Sequence, residues 1–305
     1  MEIKKHTLNL LEELVASRSD RYTYILSNLE KSGFSPIPIE LDGARFILVR
    51  FGKDLYSPKL GPTKVLAAHY DSMPGSPGAN DNAAAVVQLL EAAPKLAKSP
   101  LPHNTLLLFT DREEVNVSSS PKKQGSFLLG EAFRKQGLKD MVFFNFDMCG
   151  KGDTVIVSEA AEQFLASRHK THTALFQNIH SLREKLIDRL PRMVRGRFIS
   201  LRTPFSDNLG FLLQGYPAIH LTLLPFKEAA AYKKDLDNLR DEITRKQKID
   251  VLHNADTYRS RFTKIQPETW NLRHGSKDTI DTLSPEAFSL MEEVYSAVSK
   301  LDLSV

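Results

Sequence analysis

Four nearly continuous apolar runs limit what this chain can become: Lys64–Ala68 (KVLAA), Thr105–Thr110 (TLLLFT), Met141–Phe146 (MVFFNF) and Tyr216–Leu224 (YPAIHLTLL). A strand with one wet face alternates apolar and polar residues, so runs without alternation read as strands covered on both faces. Covering two faces takes two helical layers. Between the runs, residues 81–96 and 127–136 carry apolar residues at helical spacing, and 284–301 closes with an amphipathic helix. This rhythm predicts an α/β three-layer sandwich, a central mixed but mostly parallel sheet with helices on both faces.

Upstream, residues 4–16 and 20–32 read as amphipathic helices, the second with Ser19 and Asp20 as N-cap candidates and Gly33 at its end. Residues 44–51 (ARFILVRF) alternate as a strand does. Two charged, helix-prone stretches, 160–200 and 227–270, break the rhythm and are expected as helical insertions packed on the rim. At 305 residues the chain suits one layered domain over 1–305 with a large buried core.

Charge and composition exclude several classes. With 41 Lys+Arg against 37 Asp+Glu the formal charge is +4, and 41% hydrophobic residues is ordinary for a globular protein. The basic run 183–202 also contains acids and reads as a solvated helix face, so no nucleic-acid partner is expected. A single cysteine, Cys149, excludes an internal disulfide framework. No stretch reaches eighteen apolar residues, so no membrane span is expected. The first twenty residues lack the pattern of a signal peptide, and the expectation is cytoplasmic.

In open α/β sheets ligands bind beyond the carboxyl ends of the strands. KVLAA runs into His69-Tyr70-Asp71, TLLLFT into Asp111-Arg112-Glu113-Glu114, and MVFFNF into Asp147, while Asp81 opens the helix after the first run. Singly, each has an ordinary reading. His69 could be a hydrogen-bonded structural residue, Asp81 a helix N-cap, and the Glu pair solvated surface. Together they suggest a divalent metal, because adjacent carboxylates at a buried strand end repel unless a cation or shared proton compensates. His69, Asp81, Glu114 and Asp147 supply four ligands, and one late histidine would complete two three-ligand sites sharing a bridge. His6, His169, His172 and His180 lie in charged helical segments, His103 at the wrong end of a strand, and His220 inside one. Of His253 and His274, the latter sits in a loop before the last helix, the better position for reaching over a sheet edge.

The order His69-x-Asp71, Gly-Ala-Asn-Asp-Asn-Ala (78–83), Glu113-Glu114, Asp147 in NFDM, and His274 followed by Asp278-Thr279 resembles the M28 family of zinc aminopeptidases over residues 40–300. The resemblance implies a zinc-peptidase fold with two zinc ions. His69 and Asp147 would serve one, Glu114 and His274 the other, and Asp81 both. It implies that Asp71 orients the His69 imidazole and that Glu113 is the general base. Ser206-Asp207-Asn208 resembles a Ser-Asp-His segment of the family, which makes Asp207 a supporting acid; Asn208 departs from that pattern.

The activity so implied is removal of the N-terminal residue of peptides with a free N-terminus. A second departure keeps an alternative open. The segment 115–124 (VNVSSSPKKQ) separates Glu114 from Gly125-Ser126, as in the related glutaminyl cyclases, which carry a longer loop with a Ser-Pro pair here; Ser120-Pro121 matches it. Against the cyclase, Asn82 follows Asp81 where cyclases carry Ser, and Arg273 precedes His274 where they carry Trp. A third reading is a non-catalytic binding homologue, which would normally show replaced ligands. None of the five is replaced here. The sequence leaves oligomeric state and the preferred N-terminal residue open.

Overall fold

The computed structural model describes residues 2–17, 20–114, 120–246 and 264–304. Ser19, residues 115–119 of the long loop, and 247–263 of the second charged stretch with His253 lie outside the described residues.

Eight strands form one sheet in the order β1-β2-β4-β3-β5-β8-β6-β7. These are β1 (Ile37–Leu41), β2 (Ala44–Val49), β3 (Thr63–His69), β4 (Thr105–Thr110), β5 (Met141–Phe146), β6 (Thr154–Ser158), β7 (Arg197–Leu201) and β8 (Ala218–Leu224). The centre, β4-β3-β5-β8, is parallel, β6 reverses against β8, and the β1-β2 hairpin adds antiparallel strands at the other side. The sheet is therefore mixed, with the four apolar runs at its parallel heart. Alternation inside each run explains why all of it is apolar. Leu66 and Ala68 face one core with Leu107, Phe109, Phe144 and Phe146, while Val65 and Ala67 face another with Leu106, Leu108 and Phe143.

The first face is covered by α1 (Lys5–Ala16), α2 (Arg21–Lys31), α3 (Ala84–Ala97), α6 (Ala174–Met193) and α10 (Pro285–Ser299). The second is covered by α4 (Gly125–Lys135) and α7 (Asn208–Leu213), and toward β6 and β7 by α8 (Phe226–Lys246). Short helices α5 (Ala160–Ser167) and α9 (Glu268–Asn271) complete the set. Asp20 caps α2, its carboxylate accepting from Thr23 N at 3.2 Å.

The two charged stretches do not sit on the rim. The first contains α5, α6 and most of β7, and α6 buries Ile179, Leu182, Leu186 and Leu190 in the main core. This three-to-four spacing makes a helix stripe, and the surrounding Arg and Glu hide it in composition. The described part of the second stretch contributes Ala229, Tyr232 and Trp270 to a cluster under Ile156 and Leu224. The first stretch and the described part of the second are layers of the sandwich.

Candidate metal and active site

The site is assembled at the carboxyl ends of the three central strands. His69 is the last residue of β3 and is 1% exposed. Asp71 follows it, Glu113 and Glu114 follow β4, and Asp147 follows β5. Asp81 lies in an irregular turn before α3, with non-helical backbone at Asp81 and Asn82. The bland reading of Asp81 as an N-cap does not hold. Its carboxylate instead faces two imidazoles, its Oδ1 3.3 Å from His69 Nε2 and its Oδ2 3.5 Å from His274 Nε2.

That turn is held on both sides. Asp278, fully buried, accepts from Asn80 N (2.8 Å) and Asp81 N (3.0 Å). Asn80 Oδ1 accepts from Gly150 N, and Asn82 bridges the other strand end by accepting from Met148 N and donating to the Phe146 carbonyl. The two asparagines thus grip the backbone before and after Asp147. Gly78 enters the turn at φ 61°, where a Cβ would lie 2.6 Å from the Asp81 carbonyl oxygen, so both its conformation and its space need glycine.

Two sets of three donor atoms converge, each within 4.8 Å: His69, Asp81 and Asp147, and Asp81, Glu114 and His274. In the first, His69 Nε2 lies 3.6 Å from Asp147 Oδ1; in the second, His274 Nε2 lies 3.0 Å from Glu114 Oε2. Asp81 belongs to both and offers one oxygen to each. His69 Nε2 and Asp147 Oδ1 are buried and have no hydrogen-bond partner among the described residues. Buried polar atoms are almost always satisfied, so orphaned lone pairs facing one another, imidazole with carboxylate, fit a divalent cation.

The electrostatics agree. Burial, reinforced by Asp147, Asp207 and Glu114, pushes the Glu113 carboxyl well above its usual range despite His69 nearby. Burial raises Glu114 to about 7 and Asp207 to about 6. Asp147 goes the other way: burial opposes its charge, but the His69 imidazole beside it outweighs that and holds the carboxyl low. Burial and mutual repulsion split the affinities of carboxylates crowded this closely.

Asp71 links the two strand ends. Its Oδ1 is 3.4 Å from His69 Nδ1, and its two oxygens accept from Glu113 N (3.2 Å) and Glu114 N (2.9 Å). One carboxylate therefore orients an imidazole and fixes the backbone of the Glu pair. The pair then diverges: Glu114 meets His274, and Glu113 Oε1 accepts from Gln124 Nε2 at 3.2 Å. Gln124 was not foreseen. Its signal was its place just before Gly125, which must pass so close to β4 that a Cβ would sit 1.9 Å from the Asp111 carbonyl oxygen. Asp207 is buried behind, accepting from Thr110 Oγ1 at 2.5 Å. Asn208 turns away and accepts from Ser206 N.

A cavity of about 150 Å³ opens on this cluster, lined by Asp81, Glu113, Asp147 and His274 together with Met148, Pro204, Phe205, His220, Trp270 and Arg273. His220, read from sequence as a core residue, is buried but also forms this wall. Size alone would point elsewhere, since a 450 Å³ groove lies between α3 and α10. That groove touches neither donor set, and the chemistry marks the smaller cavity.

A parallel-centred α/β sandwich with two donor sets sharing an aspartate at its strand ends is the architecture of a metal-dependent hydrolase fold. The chain belongs to peptidase family M28, whose sequence model matches residues 58–299. Among solved structures it resembles a glutaminyl cyclase from Porphyromonas gingivalis (16% identity, 96% of each chain covered, TM-score 0.59). It also resembles the LapA aminopeptidase of Legionella pneumophila (16% identity, 96% of this chain and 70% of that one, TM-score 0.62). A leucine aminopeptidase precursor from Bacteroides thetaiotaomicron is similar too (16% identity, 97% and 96% covered, TM-score 0.59). Among curated proteins no sequence match is found. At such identities the likeness concerns the fold.

Proposed function

We propose that the chain is a zinc-dependent aminopeptidase that hydrolyses the first peptide bond of substrates with a free N-terminus. The observation that carries this is Asp81 shared between the two donor sets, with Glu113 lining the same cavity but belonging to neither. His69 and Asp147 would hold one ion, Glu114 and His274 the other, and Asp81 both. Zinc held there would supply a polarised carbonyl and a water acidified toward neutral pH. Glu113 takes the proton of the attacking water and delivers it to the departing amine as the C–N bond breaks. Gln124 holds one Glu113 oxygen in place meanwhile. Asp71 keeps the His69 ring in register.

Glutaminyl cyclase activity is the second reading, favoured by the Ser120-Pro121 loop between Glu114 and Gly125. A peptide set including one that begins with glutamine separates the two by mass spectrometry: loss of whole residues marks the peptidase, loss of ammonia from the glutamine peptide alone marks the cyclase. Glu113→Gln is the control. It is expected to keep fold and metal content while turnover falls by about 10²–10⁴-fold; full activity in that variant would remove the assigned base. A chelator should stop turnover and added zinc restore it.

A further inference from the structure

The cavity beside the paired donor sets is about 150 Å³, well under the roughly 300–1,000 Å³ of pockets that take drug-sized ligands. It therefore has room for one side chain and little more. Met148, Pro204 and Phe205 form apolar walls. Beyond the donor sets the polar lining is Glu113, His220, Trp270 and Arg273. Trp270, 1% exposed, lends one wall. Arg273 is half-buried and is the only Lys or Arg lining the cavity among the described residues. Its one hydrogen bond there runs from a terminal guanidinium nitrogen to the Trp270 carbonyl at 3.3 Å, and no carboxylate among those residues pairs with it.

A donor-only guanidinium thus lines a small cavity, and among the described residues only the Trp270 carbonyl accepts from it. An ionised carboxylate is the complementary group, since it only accepts and can take a forked pair of bonds from Arg. We propose that this cavity is a subsite for an acidic side chain, and that Arg273 makes the enzyme prefer substrates whose first residue is Asp or Glu. This rests on the aminopeptidase reading only for which residue of the substrate enters. A carboxylate could also reach Arg273 from the free C-terminus of a dipeptide. The cavity's one-side-chain volume favours the first source.

The test compares isosteres, because Glu and Gln, or Asp and Asn, fill the same space and differ in charge. With C-terminally amidated peptides and the zinc-supplied full chain, kcat/KM is expected to be at least tenfold higher for Glu than for Gln at the first position. In Arg273→Gln that ratio should fall to about one. A ratio near one in the native protein, or an unchanged ratio in the variant, overturns the subsite. Preference for Ala-Ala over its amide without a Glu/Gln preference overturns the side-chain assignment and gives Arg273 to the terminal carboxylate. Calorimetric binding of glutamic acid α-amide and glutaminamide to Glu113→Gln, with and without Arg273→Gln, separates this from the reading it rests on. If no peptide is cut yet the acid still binds at least tenfold tighter through Arg273, the peptidase falls and the subsite stands; equal binding of the two amides sinks the subsite whatever the turnover.

Discussion

Asp81 is the residue on which both donor sets depend, and its variants separate a shared ligand from a structural one. Its backbone is held by Asp278 and its carboxylate faces His69 and His274, so the side chain can be removed while the clasp on the turn persists. On the proposed two-zinc reading, Asp81→Ala is expected to lower zinc content from two ions per chain to fewer than one, read by elemental analysis after gel filtration. Two ions retained would exclude the shared role. Neighbouring residues show how sharply position sets chemistry. Glu113 and Glu114 are adjacent in sequence, yet one is hydrogen-bonded to Gln124 and the other contacts His274. Their identity could be read from the chain because they end a doubly buried strand. Gln124 could not, because its contact with Glu113 closes across the loop that separates them.

At the scale of elements, α6 shows how a helix full of charge can be part of the core. Leu186 is fully buried against the first face of the sheet, and Leu186→Ala should cost about 2–5 kcal/mol in urea unfolding. A loss below about 1 kcal/mol would return α6 to the rim. The four central strands, α1, α2, α4 and the last helix were legible because double-sided burial and helical stripes leave distinct periods in sequence. Three strands were not. β1 (IPIEL) contains a proline and lies mostly exposed at an edge, β6 is five residues long, and β7 is mostly half-buried on the opposite edge. The edge strands β1 and β7 bury too little for alternation to stand out, whereas β6 is buried throughout but too short to show a period. His69, Glu114 and Asp147 of the donor cluster were legible for the opposite reason, because residues at the ends of buried strands are placed by the sheet.

For the molecule as a whole, one buried cation ties the start of the central sheet to the end of the chain. Lys64, 1% exposed at the base of β3, donates to the Leu301 carbonyl at 2.5 Å beyond α10. Burial outweighs the nearby Asp302 and lowers its pKa from 10.5 to about 8. Below pH 8 the lysine is charged in both folded and unfolded chains, and the folded state bears the whole desolvation cost. Between pH 8 and 10.5 the folded chain loses this proton while the unfolded one keeps it, so stability should rise with pH, by about 3 kcal/mol across that window. The stability difference between the native protein and Lys64→Met, followed by urea unfolding at pH 7.5 and 10.5, isolates the term from other titrations. No change in that difference would show that the burial costs nothing. The Asp278 clasp has a consequence of a different sort. It joins residues 197 apart in sequence, so during synthesis the strands bearing His69, Glu114 and Asp147 emerge long before the turn of Asp81 can be secured. A nascent chain halted just before residue 278 would own all five donor residues and still lack the clasp that holds the turn of Asp81.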